Sequence, residues 1–181
     1  KVRFSKKVDG IPYDGKYIFS EMGYNFLPSE ISAAFAIEQL KSLKSNIKSR
    51  NHNFEYLKKF FSNFPNYFNL PEQNPNVNTA WLAFPLVIKK NNKFNRRDMQ
   101  IYFERNKIQT RTIFTGNILK QPAMKKRFYK KHKDCSIIAD DVMKNGILIG
   151  CHQGLSINDL NYICNTFKKL LNRKKKYRKI A

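Results

Sequence analysis

Apolar residues recur at helical spacing through PSEISAAFAIEQLKSLKSNIKSRNHNFEYLKKFFSNF. Ala33, Ile37, Leu40, Leu43, Ile47, Phe54, Leu57 and Phe61 fall three, four or seven apart, with charged residues between them. That period predicts a long amphipathic helix over 29–64, bent near Asn51. Ser29, after Pro28, is placed to cap it, and Glu30 suits the positive end of the helix dipole. Ala33, Ala34 and Ala36 make the first turns narrow, so another backbone can approach closely there. AWLAFPLVI (Ala80 to Ile88) reads as a buried strand. Pro85 within it lacks an N–H and is expected at a sheet edge or bulge. NRRDMQIYFERNK predicts a second helix capped by Asn95, and IQTRTIF (Ile108 to Phe114) a second strand. CSIIADDVMKNG predicts a third helix with Gly146 as its C-terminal cap. ILIGC is a third strand. Ser156 opens the last helix, with Asp159 placed as a capping-box acid. Leu160, Ile163, Cys164, Phe167, Leu170 and Leu171 form its apolar stripe. Strands alternate with helices, so the expected architecture is a small α/β sandwich with helices packed on a short sheet. Residues Lys1 to Phe26 carry turn signals (DGIPYDG) and read as a connecting arm. The end, NRKKKYRKIA, reads as a frayed basic tail.

Composition narrows the class. A chain of 181 residues suits one domain with an arm. An apolar fraction of 41% with 15 Phe is ample for a core and excludes a wholly disordered chain. No apolar run approaches the ~20 residues of a membrane span. The chain begins with Lys1 rather than Met, so a fragment or processed product is expected. The 35 Lys and Arg against 13 Asp and Glu give a formal charge of +22. That excess suits an electrostatic partner: nucleic acid, anionic lipid or a phosphorylated substrate. The other reading is compositional, since Lys, Asn, Ile and Phe are all abundant, as in proteins of AT-rich genomes. Cys135, Cys151 and Cys164 are odd in number, far apart and form no C-x-x-C pair. They suit reduced thiols in a cytoplasmic protein, not a disulfide framework or zinc site, and no metal ligands are assigned.

A self-contained active site is hard to find. There is no P-loop, G-x-G-x-x-G, H-E-x-x-H or G-x-S-x-G. His52 lies on the polar side of the long helix and His132 in KKRFYKKHKD; both read as surface residues. His152 directly follows a buried strand, where strand ends commonly hold ligand-contacting groups; a structural histidine is the alternative. MKKRFYKKHK interleaves basic residues with Phe128 and Tyr129. This suits either a nucleic-acid backbone or a solvated loop, because no RNA-binding signature accompanies it. Polar stretches cluster in three places: GYNFLPSE, TRTIFTGN and GCHQGL. They are candidates to converge on one ligand.

Those stretches, in that order, resemble the DegT/DnrJ/StrS family of pyridoxal-phosphate (PLP) sugar-nucleotide aminotransferases and dehydratases. GYNFLPSEISAAFAIEQLKSL is similar to the family's G-Y-N segment and alanine-rich helix. WLAFPLVI, IQTRTIFTGNILKQP and GILIGCHQGLS are similar to its later landmarks. The resemblance covers about Arg3 to Leu171. Within the family, TGN followed by LK and QP is most similar to the NDP-4-keto-6-deoxyhexose 3-dehydratases. The GxHQ resembles the GDP-sugar branch and the arm KVRF…GIPYDGKYIFSEMGYN the CDP-sugar branch, so the nucleotide stays open.

The resemblance implies the C-terminal part of an aspartate-aminotransferase (PLP fold type I) chain. It divides the sequence into an arm from the large PLP-binding domain (1–28), an interdomain helix (29–64), a small α/β domain (65–172) and a basic tail (173–181). The residue facing the cofactor would lie upstream of Lys1, His in dehydratases and Lys in aminotransferases. So would the Asp at the pyridine nitrogen and any iron–sulfur ligands. The chain alone is then expected to be inactive, with no catalytic residue of its own. The implied chemistry is loss of the C3 hydroxyl from an NDP-4-keto-6-deoxyhexose with PLP/PMP as electron sink, in deoxysugar synthesis for lipopolysaccharide or other surface polysaccharide. The implied partners are an NDP-sugar, a second copy of the enzyme and, in the iron–sulfur branch, a reductase. Asn25 matches the position whose amide reaches the neighbouring subunit's cofactor phosphate. Tyr17 lies near the aromatic that crosses the dimer into the active site. Arg111, Thr115, Gly116 and Asn117 match the border of the sugar-nucleotide pocket, Arg111 as a diphosphate partner. Gly116 equally suits a turn with positive φ. His152 and Gln153 are candidates for the same pocket. A sugar aminotransferase and a basic nucleic-acid-binding module are the alternatives; the second explains the charge and none of the ordered motifs.

Overall fold

Phe54, Leu57 and Phe61 lie three and four residues apart, share one face of a helix and enter the core together. The computed structural model describes residues 2–24, 29–130 and 135–173, with backbone alone at Val2, Cys135 and Ser136. The arm forms a short hairpin, β1 (Lys7–Val8) with β2 (Ile11–Pro12). Helices α1 (Glu30–Lys41) and α2 (Leu43–Phe61) follow. Then come β3 (Phe68–Asn69), β4 (Ala83–Ile88), α3 (Arg96–Arg105) and β5 (Thr110–Arg111). Helix α4 (Cys135–Asn145), β6 (Gly146–Gly150) and α5 (Ile157–Asn172) complete the order.

Four strands form one antiparallel sheet in the order β3-β4-β6-β5. Phe84, Leu86 and Ile88 alternate along β4 and are buried, as are Ile147 and Ile149 on β6. They share a core with Phe54 and Phe61 of α2, Met99 and Phe103 of α3, and Leu160 and Phe167 of α5. Phe167 is its hub, with ring centroids 5.0 to 6.3 Å from Phe60, Phe61, Phe64, Phe68 and Phe94.

The cap expected at Asn95 of α3 and the capping box expected at Ser156 of α5 both form, and Asp98 completes a box with Asn95 as Asp159 does with Ser156. Other expectations are corrected. The long helix is two, broken at Ser42 (φ −98°, ψ 1°) rather than bent at Asn51. There the Ser42 hydroxyl donates to Gln39 O (3.1 Å) and accepts from Asn46 Nδ2 (3.2 Å), and Ser45 Oγ donates to Ser42 O (2.8 Å). Side chains thus compete with the helical ladder. Ser29 stands at the N-cap of α1 without a side-chain cap bond. Gly146 follows α4 directly but without the positive φ of a glycine cap: it opens β6, and a Cβ there would lie 2.5 Å from Val142 O and 2.7 Å from Ile113 Cδ1. It is small because two segments meet.

Pro85 lies in an inner strand, paired with Leu148. Lys89 N–H donates to Tyr67 O, toward β3, and residues two apart point the same way. Pro85 therefore turns its missing donor toward β3, which stops at Asn69 opposite Val87. The strand is locally an edge at that residue.

The arm is built into the domain. Val8 and Tyr13 form a second cluster with Met143 of α4. Arg3 donates to both Asp14 carboxylate oxygens, to Glu104 and to Thr110 O, joining arm, α3 and β5. Burial opposes the Asp14 charge, but the Arg3 bonds and the Lys16 N–H outweigh it and hold that carboxyl below its ordinary pKa. Among the described residues no helix is long and apolar enough to cross a membrane.

Candidate functional site

The register of β5 on β6 decides which of the sequence-selected residues meet. Arg111 pairs with Leu148 and Thr110 with Ile149. His152 and Gln153 follow the last residue of β6. The 115–117 turn lies past the other end, where Ile113 meets Gly146. Five residues of β6 span about 17 Å, so the start of TRTIFTGN meets GCHQGL through Arg111, while its 115–117 turn does not. Asn25 and His132 lie outside the described residues.

Arg111 is half-buried and donates to the Tyr17 hydroxyl at 3.2 Å, its guanidinium carbon 6.0 Å from the ring. It forms no ion pair with a described carboxylate. With Gln109, Gly150, His152, Asp159 and Tyr162 it lines a cleft of about 400 Å³. An always-charged, planar five-donor group at such a mouth suits a diphosphate. His152 is exposed. Its Nδ1 accepts from Gly154 N–H (3.2 Å) and its carbonyl from Asn53 Nδ2 (2.8 Å), which pins the loop to α2. The Gln153 carbonyl accepts from Arg50 Nε at 2.7 Å.

The turn itself is held from within. Gly116 has φ +63°, and a Cβ there would lie 2.5 Å from Met143 Cγ and 2.7 Å from the Tyr13 hydroxyl. No residue with a side chain fits that position without displacing its neighbours. Asn117 is buried and bonded through both its oxygen and its nitrogen: its carbonyl caps Leu119 N–H (3.1 Å) and its amide donates to Asp140 (2.7 Å). Lys120 bridges Asp9 and Asp140 at 3.2 and 3.3 Å, and those carboxylates raise its pKa. The Thr115 carbonyl accepts from Gln121 Nε2 (2.9 Å), whose own carbonyl accepts from Phe19 N–H (3.1 Å).

Phe114 is the exception. It has φ +45°, which is strained for an aromatic residue. Its carbonyl is clamped by Tyr13 Oη (2.7 Å) and Thr112 Oγ1 (3.2 Å), and its ring is 67% exposed. Sequence reasoning missed Phe114, Tyr13 and Gln121. The polar letters of the turn drew the eye, and they prove to be the scaffold. Cys151 and Cys164 are core thiols that burial pushes up to about 12 and about 11, so neither is a nucleophile at neutral pH.

The chain matches the DegT/DnrJ/EryC1/StrS aminotransferase family over residues 4–168. It is 29% identical to the lipopolysaccharide biosynthesis protein RfbH of Salmonella typhimurium, over 92% of this chain and 38% of that protein. It is 32% identical to the GDP-4-keto-6-deoxy-D-mannose 3-dehydratase of Escherichia coli, over 90% of this chain and 42% of that one. The solved E. coli GDP-4-keto-6-deoxy-D-mannose-3-dehydratase with bound hydrated PLP superposes with a TM-score of 0.69 and 31% identity, covering 88% of this chain and 41% of that one. The chain thus spans about two fifths of the relatives it matches. Its α/β architecture is that of PLP-dependent aminotransferase-fold proteins. By sequence and by fold, the chain belongs to the DegT/DnrJ/EryC1/StrS aminotransferase family.

Proposed function

We propose that this chain is the C-terminal part of a PLP/PMP-dependent NDP-4-keto-6-deoxyhexose 3-dehydratase that makes deoxysugars for surface polysaccharide. Three of the relatives named for a function in sugar metabolism are 3-dehydratases, two of them at 30% identity or above. The observation that carries the reading is Arg111: a half-buried cation, steadied by Tyr17 and without a described carboxylate, at the mouth of a cleft. When bound, the cofactor supplies the electron sink for the reaction.

This chain's share is a wall of the site. Arg111 holds the diphosphate. The locked 113–117 turn presents Phe114 past the other end of β6, with Gly116 and Asn117 shaping the backbone. His152 lines the same cleft as Arg111, and Gln153, held by Arg50, follows it in the loop. Asn25 carries the proposed contact to the cofactor phosphate across a dimer, and none of the described residues is assigned to the cofactor. By itself the chain is inactive, and it works in the cytoplasm as part of a larger enzyme.

The exposed faces of α1 support that larger assembly: none of its residues is buried, and Ile31, Phe35, Ile37 and Leu40 are 61 to 85% exposed. The test is turnover of GDP-, CDP- and dTDP-4-keto-6-deoxyhexoses by the enzyme containing this chain and its PLP-binding part. The expected product lacks the C3 hydroxyl, and Arg111→Ala raises KM at least about tenfold, as for loss of a charge-assisted contact. A product aminated at C4 with its C3 hydroxyl intact makes the enzyme a transaminase instead.

A further inference from the structure

Residues 125–130 carry a charge pattern that the sugar-nucleotide reading does not use. Lys125, Lys126, Arg127 and Lys130 surround Phe128 and Tyr129, and all six are exposed. Phe128 is bare at 108% relative exposure, and Tyr129 is 46% exposed. None of the four cations forms an ion pair with a described residue. The base of this protrusion is fixed. Gln121 is fully buried and bonded to Phe19 and to Thr115, residues 122–124 form a 3-10 turn, and Ala123 N–H donates to Phe19 O at 3.0 Å. A rigid root thus holds two aromatic rings and four cations out into solvent.

We propose that this protrusion docks the protein on an anionic lipid surface. Phe128 and Tyr129 enter the headgroup layer, where aromatic rings are favoured, and the surrounding cations sit among the lipid phosphates. The shape selects lipid over nucleic acid. A single-strand site lays successive bases on rings that line a basic groove. Here the rings stand exposed and line neither the cleft at Arg111 nor the one at Trp81. The inference is independent of the sugar-nucleotide reading, because it uses none of the same side chains.

The test is co-sedimentation of the chain with vesicles of phosphatidylglycerol and phosphatidylcholine against phosphatidylcholine alone. Each basic residue near an anionic surface contributes about fivefold in affinity. The combined K125Q, K126Q, R127Q and K130Q variant is expected to lower partition onto anionic vesicles by roughly 600-fold. A control that removes equal charge elsewhere, at Lys44, Lys48, Lys59 and Lys169, is expected to lower it less than about tenfold. The tryptophan introduced by Phe128→Trp is expected to shift its emission to the blue on anionic vesicles, against the single native Trp81. All of these positions are exposed, so the variants fold. Equal weakening by both quadruple variants overturns the proposal, as does an emission spectrum of the Phe128→Trp variant that vesicles leave unshifted. So does a single-stranded oligonucleotide that binds the tip more tightly than the vesicles do.

Discussion

Helices α5 and α1 are both rich in apolar residues and end in opposite surroundings. In α5, Leu160, Ile163, Cys164 and Phe167 make one stripe, and the stripe is buried. In α1 no residue is buried. Its apolar positions fall on two sides: Ile31 and Phe35 on one, Ala33, Ala36, Ile37 and Leu40 on the other. Ser32 and Gln39 separate them along one edge, and the Glu38–Lys41 ion pair at 2.7 Å lies along the other. One stripe needs one partner, which the sheet and α2 provide for α5. Two opposed faces need two partners, and the described residues provide neither.

The comparison can be broken most directly at two phenylalanines. Phe167→Ala is expected to destabilise the chain by about 3–5 kcal/mol in denaturant unfolding, since it empties the hub of the core. Phe35→Ala is expected to change stability by less than about 0.5 kcal/mol; a large loss would mean that α1 packs on this domain in solution. Next in size, Leu40→Ala should weaken docking of the chain on the PLP-binding part proposed above by about 2 kcal/mol, roughly thirtyfold, read by calorimetry. An unchanged affinity would remove α1 from that interface. At the helix starts, Ser156→Ala should lower stability by about 1 kcal/mol, while Ser29→Ala, with no cap bond to lose, should fall within about 0.5 kcal/mol.

The smallest effect is in acid. The Ser156 hydroxyl and N–H hold the Asp159 carboxylate below its ordinary pKa. A depressed folded-state value means that this contribution is present above the ordinary carboxylate pKa and is lost as pH falls through the lowered one. Amide protection in the first turn of α5, relative to the intrinsic exchange rate, should decrease below about pH 4. Protection that persists to pH 2 would show that the cap does not depend on that charge.

Much of the fold was legible because its signals are local. Each capping box spans four residues, and the stripe of α5 repeats within two turns. The break at Ser42 was not legible, because the apolar period runs on through it and short polar side chains interrupt the ladder beneath. The turn at 115–117 was legible as a place and not in its workings. Tyr13 reaches Phe114 across 101 positions, and Gln121 reaches Phe19 across 102. No spacing rule connects such pairs.

Order along the chain was enough to assign the family, the α/β class and the caps of α3 and α5, since each depends on neighbours a few residues apart. The split of the long helix, the inner place of Pro85, the inward polar turn with its outward Phe114, and the Arg111–Tyr17 pair had to come from packing. Each depends on which distant backbone arrives beside it, and side-chain volume and hydrogen-bond partners are settled there rather than along the chain.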